Sequence, residues 1–240
     1  MIRRFFFAVA LLCFSVGALL LGLIIFPCVK IFSNSTKDYK IKCSKIIHLT
    51  WRVLVKYLEF TGIINVFYDK KIGEIKNKII VSSHPSYIDI VILIALIPNS
   101  LCLAKTSLLN NLIMKNIVQS LYITNDSSVE EFLTKSKEAL DEGFNIIIFP
   151  TGGRTESGED VHIHKGAAKL AIFSKYSILP IKITTSESIL TKNHSIFQLG
   201  SNTVDFNLVM QDEISFSSLN ENISEISLRN RICSIIKEKI

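Results

Sequence analysis

From Phe5 to Val29 the chain runs for twenty-five residues without a charged side chain. A helix of that length reaches about 37 Å, against a hydrocarbon core about 30 Å thick, so the run is long enough to cross a bilayer with tilt. Arg3 and Arg4 precede it, as they would in a secretory signal. The apolar stretch outruns the usual signal core, however, and it ends in Ile25-Phe26-Pro27-Cys28 without a small-x-small cleavage site. The sequence therefore predicts a retained anchor. Gly17, Gly22 and Pro27 each weaken a straight helix, which leaves open a bent segment that enters and leaves the same leaflet.

Directly after this run come Lys37, Lys40, Lys42, Lys45, Arg52 and Lys56, with Ile46, Ile47, Trp51, Val53, Leu54, Tyr57 and Leu58 between them. The pattern is that of a basic amphipathic helix. Each Lys or Arg gains about 1 kcal/mol beside an anionic leaflet, and cytoplasmic flanks attract positive residues. The expected location is the inner (cytoplasmic) membrane, with the body on the cytoplasmic side and membrane lipid as a partner. The net charge of +6 would also suit nucleic acid, but the chain shows no aromatic-basic motif or recognition helix, so no nucleic-acid partner is expected.

With 20% charged residues the remainder is too polar for a bundle of spans. Its five cysteines form no CxxC pair, so neither a disulfide framework nor a zinc site is indicated. After residue 63, β-branched runs alternate with helical patterns, the trace of an α/β sheet layered with helices. Strands are expected at 64–68, 78–82, 101–104, 121–124, 145–149, 178–184 and 204–210. Helices are expected at 87–96, 108–118, 129–142, 166–176 and 219–239. The division is residues 1–62 for anchor and interfacial helix, and 63–240 for one catalytic domain. In such folds working residues gather in loops beyond the carboxyl ends of strands. Three loops qualify, following Ser82, Ala104 and Phe149.

In the first loop, His84 with Asp89 in the next helical turn makes a poised general base. The carboxylate fixes one ring nitrogen and leaves the other to take a proton from an attacking alcohol. Ser86-x-x-Asp89 equally resembles a capping box, which would make Asp89 a helix-start residue. In the third loop, Phe149-Pro150-Thr151-Gly152-Gly153-Arg154 places two glycines and a forked cation after a buried strand, a combination suited to phosphate. A tight turn with a solvated Arg is the competing reading. Lys165 opens a helix whose N-terminus offers a second place for negative charge, and Lys105 after its own strand is a further candidate. The chain lacks a G-x-S-x-G elbow, so no serine nucleophile is indicated.

These blocks resemble the lysophospholipid (1-acylglycerol-3-phosphate) acyltransferases, the PlsC-like group, over most of the chain after residue 75. His84-Pro85-Ser86-Tyr87-Ile88-Asp89 is similar to the family's H-x4-D block, Phe149 to Thr155 to its F-P-E-G-T-R-S block, and Leu179-Pro180-Ile181 to its hydrophobic-Pro block. Lys105, and Lys165-Gly166-Ala167, also fall at similar places. The resemblance implies a mixed sheet of the glycerolipid-acyltransferase type. It further implies transfer of a fatty acyl group from acyl-CoA or acyl carrier protein to a lipid hydroxyl, with His84 as base and Asp89 as its partner. The acceptor's phosphate would fall to Lys105, Thr151, Gly152, Gly153, Arg154 and Lys165. No cofactor and no metal is implied. The expected acceptor is 1-acylglycerol-3-phosphate, giving phosphatidate.

Three positions depart from the family pattern: Thr151 stands for its Glu, Gly153 for its Thr, and Asn125 for a basic residue of the second block. All three lie where the family handles its acceptor. A different, non-glycerophosphate acceptor, a catalytically inactive lipid-binding homologue and a thioesterase using water are the alternatives. His162 and His164 form a conceivable metal pair with no third ligand at suitable spacing, His48 and His194 read as packing or surface residues, and Cys102 reads as a small buried hydrophobe.

Overall fold

The computed structural model describes residues 2–104, 117–118, 122–124, 128–154, 161–187, 202–216 and 224–240. Seven strands form one sheet: β1 (Ile64–Tyr68), β2 (Ile79–Ser82), β3 (Ser100–Ala104), β4 (Tyr122–Thr124), β5 (Asn145–Ile148), β6 (Ile178–Thr185) and β7 (Val204–Met210). Their spatial order is β1-β7-β6-β2-β5-β3-β4. Every pairing is parallel except β6 with β7, so the sheet is mixed, as expected. All four residues of β2 and all four of β5 are buried, which is why the runs Ile-Ile-Val-Ser and Asn-Ile-Ile-Ile show no polar alternation. Helices cover both their faces.

Four helices belong to this body: α4 (Asp89–Leu96), α5 (Val129–Asp141), α6 (Gly166–Ser174) and α7 (Glu225–Lys239). The path β2-α4-β3 moves toward the β4 edge, whereas β4-α5-β5 and β5-α6-β6 move back toward β1. Right-handed crossovers in opposite directions place α4 on one face and α5 and α6 on the other. The packing agrees: α4 lies against α3 (Thr36–Phe60), and α6 lies between α5 and α7. The expected helix at 108–118 falls largely outside the described residues. Of the one expected at 219–239, the described part is helical from Glu225.

The apolar run forms one continuous helix, Ile2–Ile31, the only one among the described residues long and apolar enough to cross a membrane. It consists of α1 (Ile2–Leu20), a π turn (Leu21–Ile25) and α2 (Phe26–Ile31). Pro27 accounts for the π turn. A proline in a regular helix loses one N–H bond and drives its ring at the carbonyl four residues earlier. Here Phe26 N–H reaches back five residues to Leu21 O, and the wider turn accommodates the ring.

The α3 helix starts where Ser35 Oγ accepts from Asp38 N–H at 3.1 Å. It returns antiparallel to α1: Phe14 stacks on Trp51 with ring centroids 5.2 Å apart, and Tyr57 Oη donates to Phe6 O at 3.1 Å. His48 Nδ1 donates to Ile94 O at 2.7 Å and ties α3 to α4, a packing role. The basic amphipathic helix is therefore present, but its apolar residues divide. Ile47, Trp51 and Leu58 are buried against the protein, while Val53 is exposed. The helix needs them to close its own hairpin and to cover α4, and those contacts compete with lipid for the same face.

Candidate active site

β2 and β5 are hydrogen-bonded neighbours, with Val81 opposite Ile148. The chain leaving β2 turns toward one face of the sheet and the chain leaving β5 toward the other. A crevice opens between two such strands at their carboxyl ends, the usual ligand site of an open α/β sheet. Loops seventy residues apart in sequence are thereby brought face to face.

The His84 ring lies on Phe149, with centroids 4.1 Å apart and planes 20° from parallel. Its Nδ1 meets Asp89 Oδ2 at 3.0 Å. A carboxylate partner fixes the proton on Nδ1, which leaves the Nε2 lone pair as the basic position. The imidazole is partly exposed, at 15% of its side chain, so it is open to a reactant, while Asp89 is wholly buried. The Ser86 N–H also donates to Asp89 Oδ2, at 2.7 Å, and Ser86 Oγ accepts from Ile88 N–H at 3.3 Å. The helix-start and His-partner readings of Asp89 thus both hold, and one oxygen serves the two. Burial pushes the Asp89 carboxyl above its ordinary value, against the opposing pull of His84 and the Ser86 N–H.

In the facing loop, Gly152 adopts φ +67° and its N–H bonds Phe149 O at 3.1 Å. A Cβ here would come within 2.9 Å of the His164 ring, so the turn demands glycine for both its backbone and its neighbour. His164 is held against this turn by its own N–H, which donates to Pro150 O at 2.7 Å. Thr151 Oγ1 donates to Gly153 O at 2.7 Å and so closes the turn on itself. Arg154 reaches across: one terminal nitrogen donates to Tyr87 Oη at 2.8 Å, and Cζ stands 3.5 Å from the centre of the Tyr87 ring. That contact joins the His84 loop to the glycine loop.

His84, Asp89, Thr151, Gly152, Gly153 and Arg154 therefore gather at one crevice. Lys165 is the N-cap of α6, exposed and one residue beyond His164, and is close enough to Cys233 on α7 to act on its thiol. Lys105 and Asn125 lie outside the described residues, as does His194. Among the described residues no group of three or more His, Cys, Asp or Glu is placed to hold a metal ion, and His162 meets His164 only ring edge to ring face. Cys102 lies buried in β3, and burial pushes its thiol up to about 12, so it is a hydrophobe in practice. Three residues of the crevice were not legible as such: Tyr87, which reads as part of a helix start, Phe149, which reads as the end of a strand, and His164, which reads as half of a metal pair. An aromatic next to a candidate base, with an Arg in another strand-end loop, is the one available signal for the first.

Comparison with known proteins accords with this geometry. A crystal structure titled as that of the 1-acyl-sn-glycerophosphate (LPA) acyltransferase PlsC from Thermotoga maritima superposes with a TM-score of 0.72 at 17% identity, covering 98% of this chain and 92% of that one. No curated protein sequence matches the chain to significance. The family described as Acyltransferase matches residues 64–184, from the first strand of the sheet through both crevice loops to β6. With more than half of its length matched, and with the fold of PlsC, the chain belongs to the Acyltransferase family.

Proposed function

We propose that this protein transfers a fatty acyl group from a thioester, acyl-CoA or acyl carrier protein, to the free hydroxyl of a lysophospholipid, with 1-acylglycerol-3-phosphate as the acceptor. The observation that carries this reading is the joint placement of the His84–Asp89 pair and Arg154 at one crevice. His84 Nε2 takes the proton of the acceptor hydroxyl as its oxygen attacks the thioester carbonyl. Asp89 holds the ring and steadies the imidazolium that forms. The C–S bond then breaks, the new ester remains, and the departing sulfur takes the proton from His84 and leaves as a thiol. The acceptor's phosphate is met by the Arg154 guanidinium and the Gly153 N–H, where a fork of donors suits a tetrahedral anion.

The apolar surface of the hairpin supports membrane association. The outward side of Ile2–Ile31 exposes Phe5, Leu12, Val16, Leu19, Leu20, Leu23 and Ile24. We place this face in one leaflet and not across the bilayer, because α1 is paired along its length with α3. A spanning α1 would carry Arg52, next to the Trp51 that stacks on Phe14, toward the hydrocarbon centre, at roughly 2.5–3.5 kcal/mol. Thr151 in place of the family's carboxylate supports a second reading, an acceptor other than a glycerophosphate.

The test is an acceptor screen in detergent with acyl-CoA and acyl carrier protein, with products identified by mass. Phosphatidate from lysophosphatidate, lost in His84→Ala while that variant still folds, is the expected result. Turnover retained in His84→Ala overturns the mechanism, and thiol release without an acylated lipid overturns the transferase reading.

A further inference from the structure

The contact between Tyr87 and Arg154 is the only side-chain hydrogen bond described between the two crevice loops, and nothing in the proposed chemistry uses Tyr87. Its ring is 56% exposed, so it is not held there by the core. Its backbone, by contrast, is fixed. Ser86 and Ile88 on either side of it are buried, and Ser86 N–H is bonded to the same Asp89 oxygen that holds His84. An aromatic plate is thus mounted on the segment between base and acid and projects to the other loop. There it meets Arg154 in two ways at once, by the hydroxyl at 2.8 Å and by the ring face at 3.5 Å. Arg154 itself follows Gly152 and Gly153, which give it no neighbouring side chain, and a Cβ built on Gly153 meets nothing within 4 Å. Tyr87 offers the guanidinium both a hydrogen-bond acceptor and a ring face, contacts that orient a planar cation.

We propose that Tyr87 is a positioning residue for Arg154, and that it helps to set the distance between the proton-accepting nitrogen of His84 and the cation that receives the acceptor's phosphate. This rests on the functional reading above and adds a determinant of acceptor choice to it. An acceptor is accepted when the span from its free hydroxyl to its phosphate matches that distance. One without a phosphate gains nothing from Tyr87.

The experiment is a double-substitution cycle on the full chain: wild type, Tyr87→Ala, Tyr87→Phe, Arg154→Ala and the Tyr87→Ala/Arg154→Ala pair. Each is read for acceptor KM and kcat with lysophosphatidate and with monoacylglycerol, and for equilibrium binding of lysophosphatidate without acyl donor. Tyr87→Ala is expected to raise the lysophosphatidate KM about tenfold with kcat within about threefold. Tyr87→Phe keeps the ring face and falls between, and the monoacylglycerol KM does not move. In the Arg154→Ala background the loss of Tyr87 adds less than about twofold. Equal factors with and without Arg154, or an equal effect on monoacylglycerol, overturn the proposal. If wild type binds lysophosphatidate but transfers nothing, the transferase reading fails while the binding cycle still decides the role of Tyr87. If it does neither, both fail.

Discussion

Asp89 is a carboxyl with two duties, and its second oxygen is buried without a hydrogen-bond partner among the described residues. Burial lifts its pKa in the fold above the unfolded value. The stability linked to its protonation is therefore complete below the unfolded value and is lost as pH rises through the folded one, so the ionised form costs stability at neutral pH. Asp89→Asn, which cannot ionise, should remove that loss of stability with rising pH, and should lower kcat by about 10²–10⁴-fold. Melting curves across pH and a turnover assay on one preparation check both, and an Asn variant of full activity would sink the proposed role. Gly152 makes the complementary case in the facing loop. Gly152→Ala meets a left-handed φ, costing roughly 1–2 kcal/mol, and the His164 ring. The acceptor KM should rise, and adding His164→Ala should recover the steric part but not the backbone part. Equal KM values for the single and double variants would show that the ring does not matter.

Asn145 shows how much an element can depend on its first residue. It opens β5 fully buried, accepts from Lys78 N–H at 3.1 Å, and donates to Ile75 O at 3.0 Å and Pro98 O at 3.1 Å. It thus stitches the entrance of β5 to the segments that lead into β2 and β3. Asn145→Ala leaves three backbone groups without this partner and should cost about 3 kcal/mol in a denaturant titration, with little change in acceptor KM because the crevice lies at the far ends of the strands. A loss below about 1 kcal/mol would mean that water replaces the amide. In the sequence Asn145 is merely a polar residue at the edge of an apolar run. The strands themselves were legible from β-branched runs, and β1 and β7 have the bounds expected. Pairing was not legible: the antiparallel β6–β7 step depends on long-range register, which no local pattern encodes. The His84–Asp89 pair was readable from spacing because the short turn between them, ahead of α4, brings the two together. Tyr87, Phe149 and His164 were not, because their contacts cross between β2, β5 and α6. Lys105, an acceptor candidate in the sequence, lies outside the described residues.

At the scale of the whole molecule, the outward face of Ile2–Ile31 is where the proposed lipid contact can be tested apart from folding. Leu12 and Leu23 are 64% and 62% exposed, so Leu12→Asp/Leu23→Asp should leave Tm nearly unchanged. It should weaken sedimentation with anionic vesicles by more than tenfold, since each buried leucine contributes about 1.5–3 kcal/mol. Phe26, at 1% exposure, should behave oppositely on substitution by Ala and lower Tm. Vesicle binding unaffected by the two aspartates would remove α1 as the lipid contact. The adjacency of β2 and β5 has its own consequence. The His84–Asp89 pair and the glycine turn are aligned by the parallel pairing of β2 with β5, in which Val81 stands opposite Ile148. Insertions between α4 and β5 therefore leave the facing of the two loops untouched for as long as Val81 stays opposite Ile148.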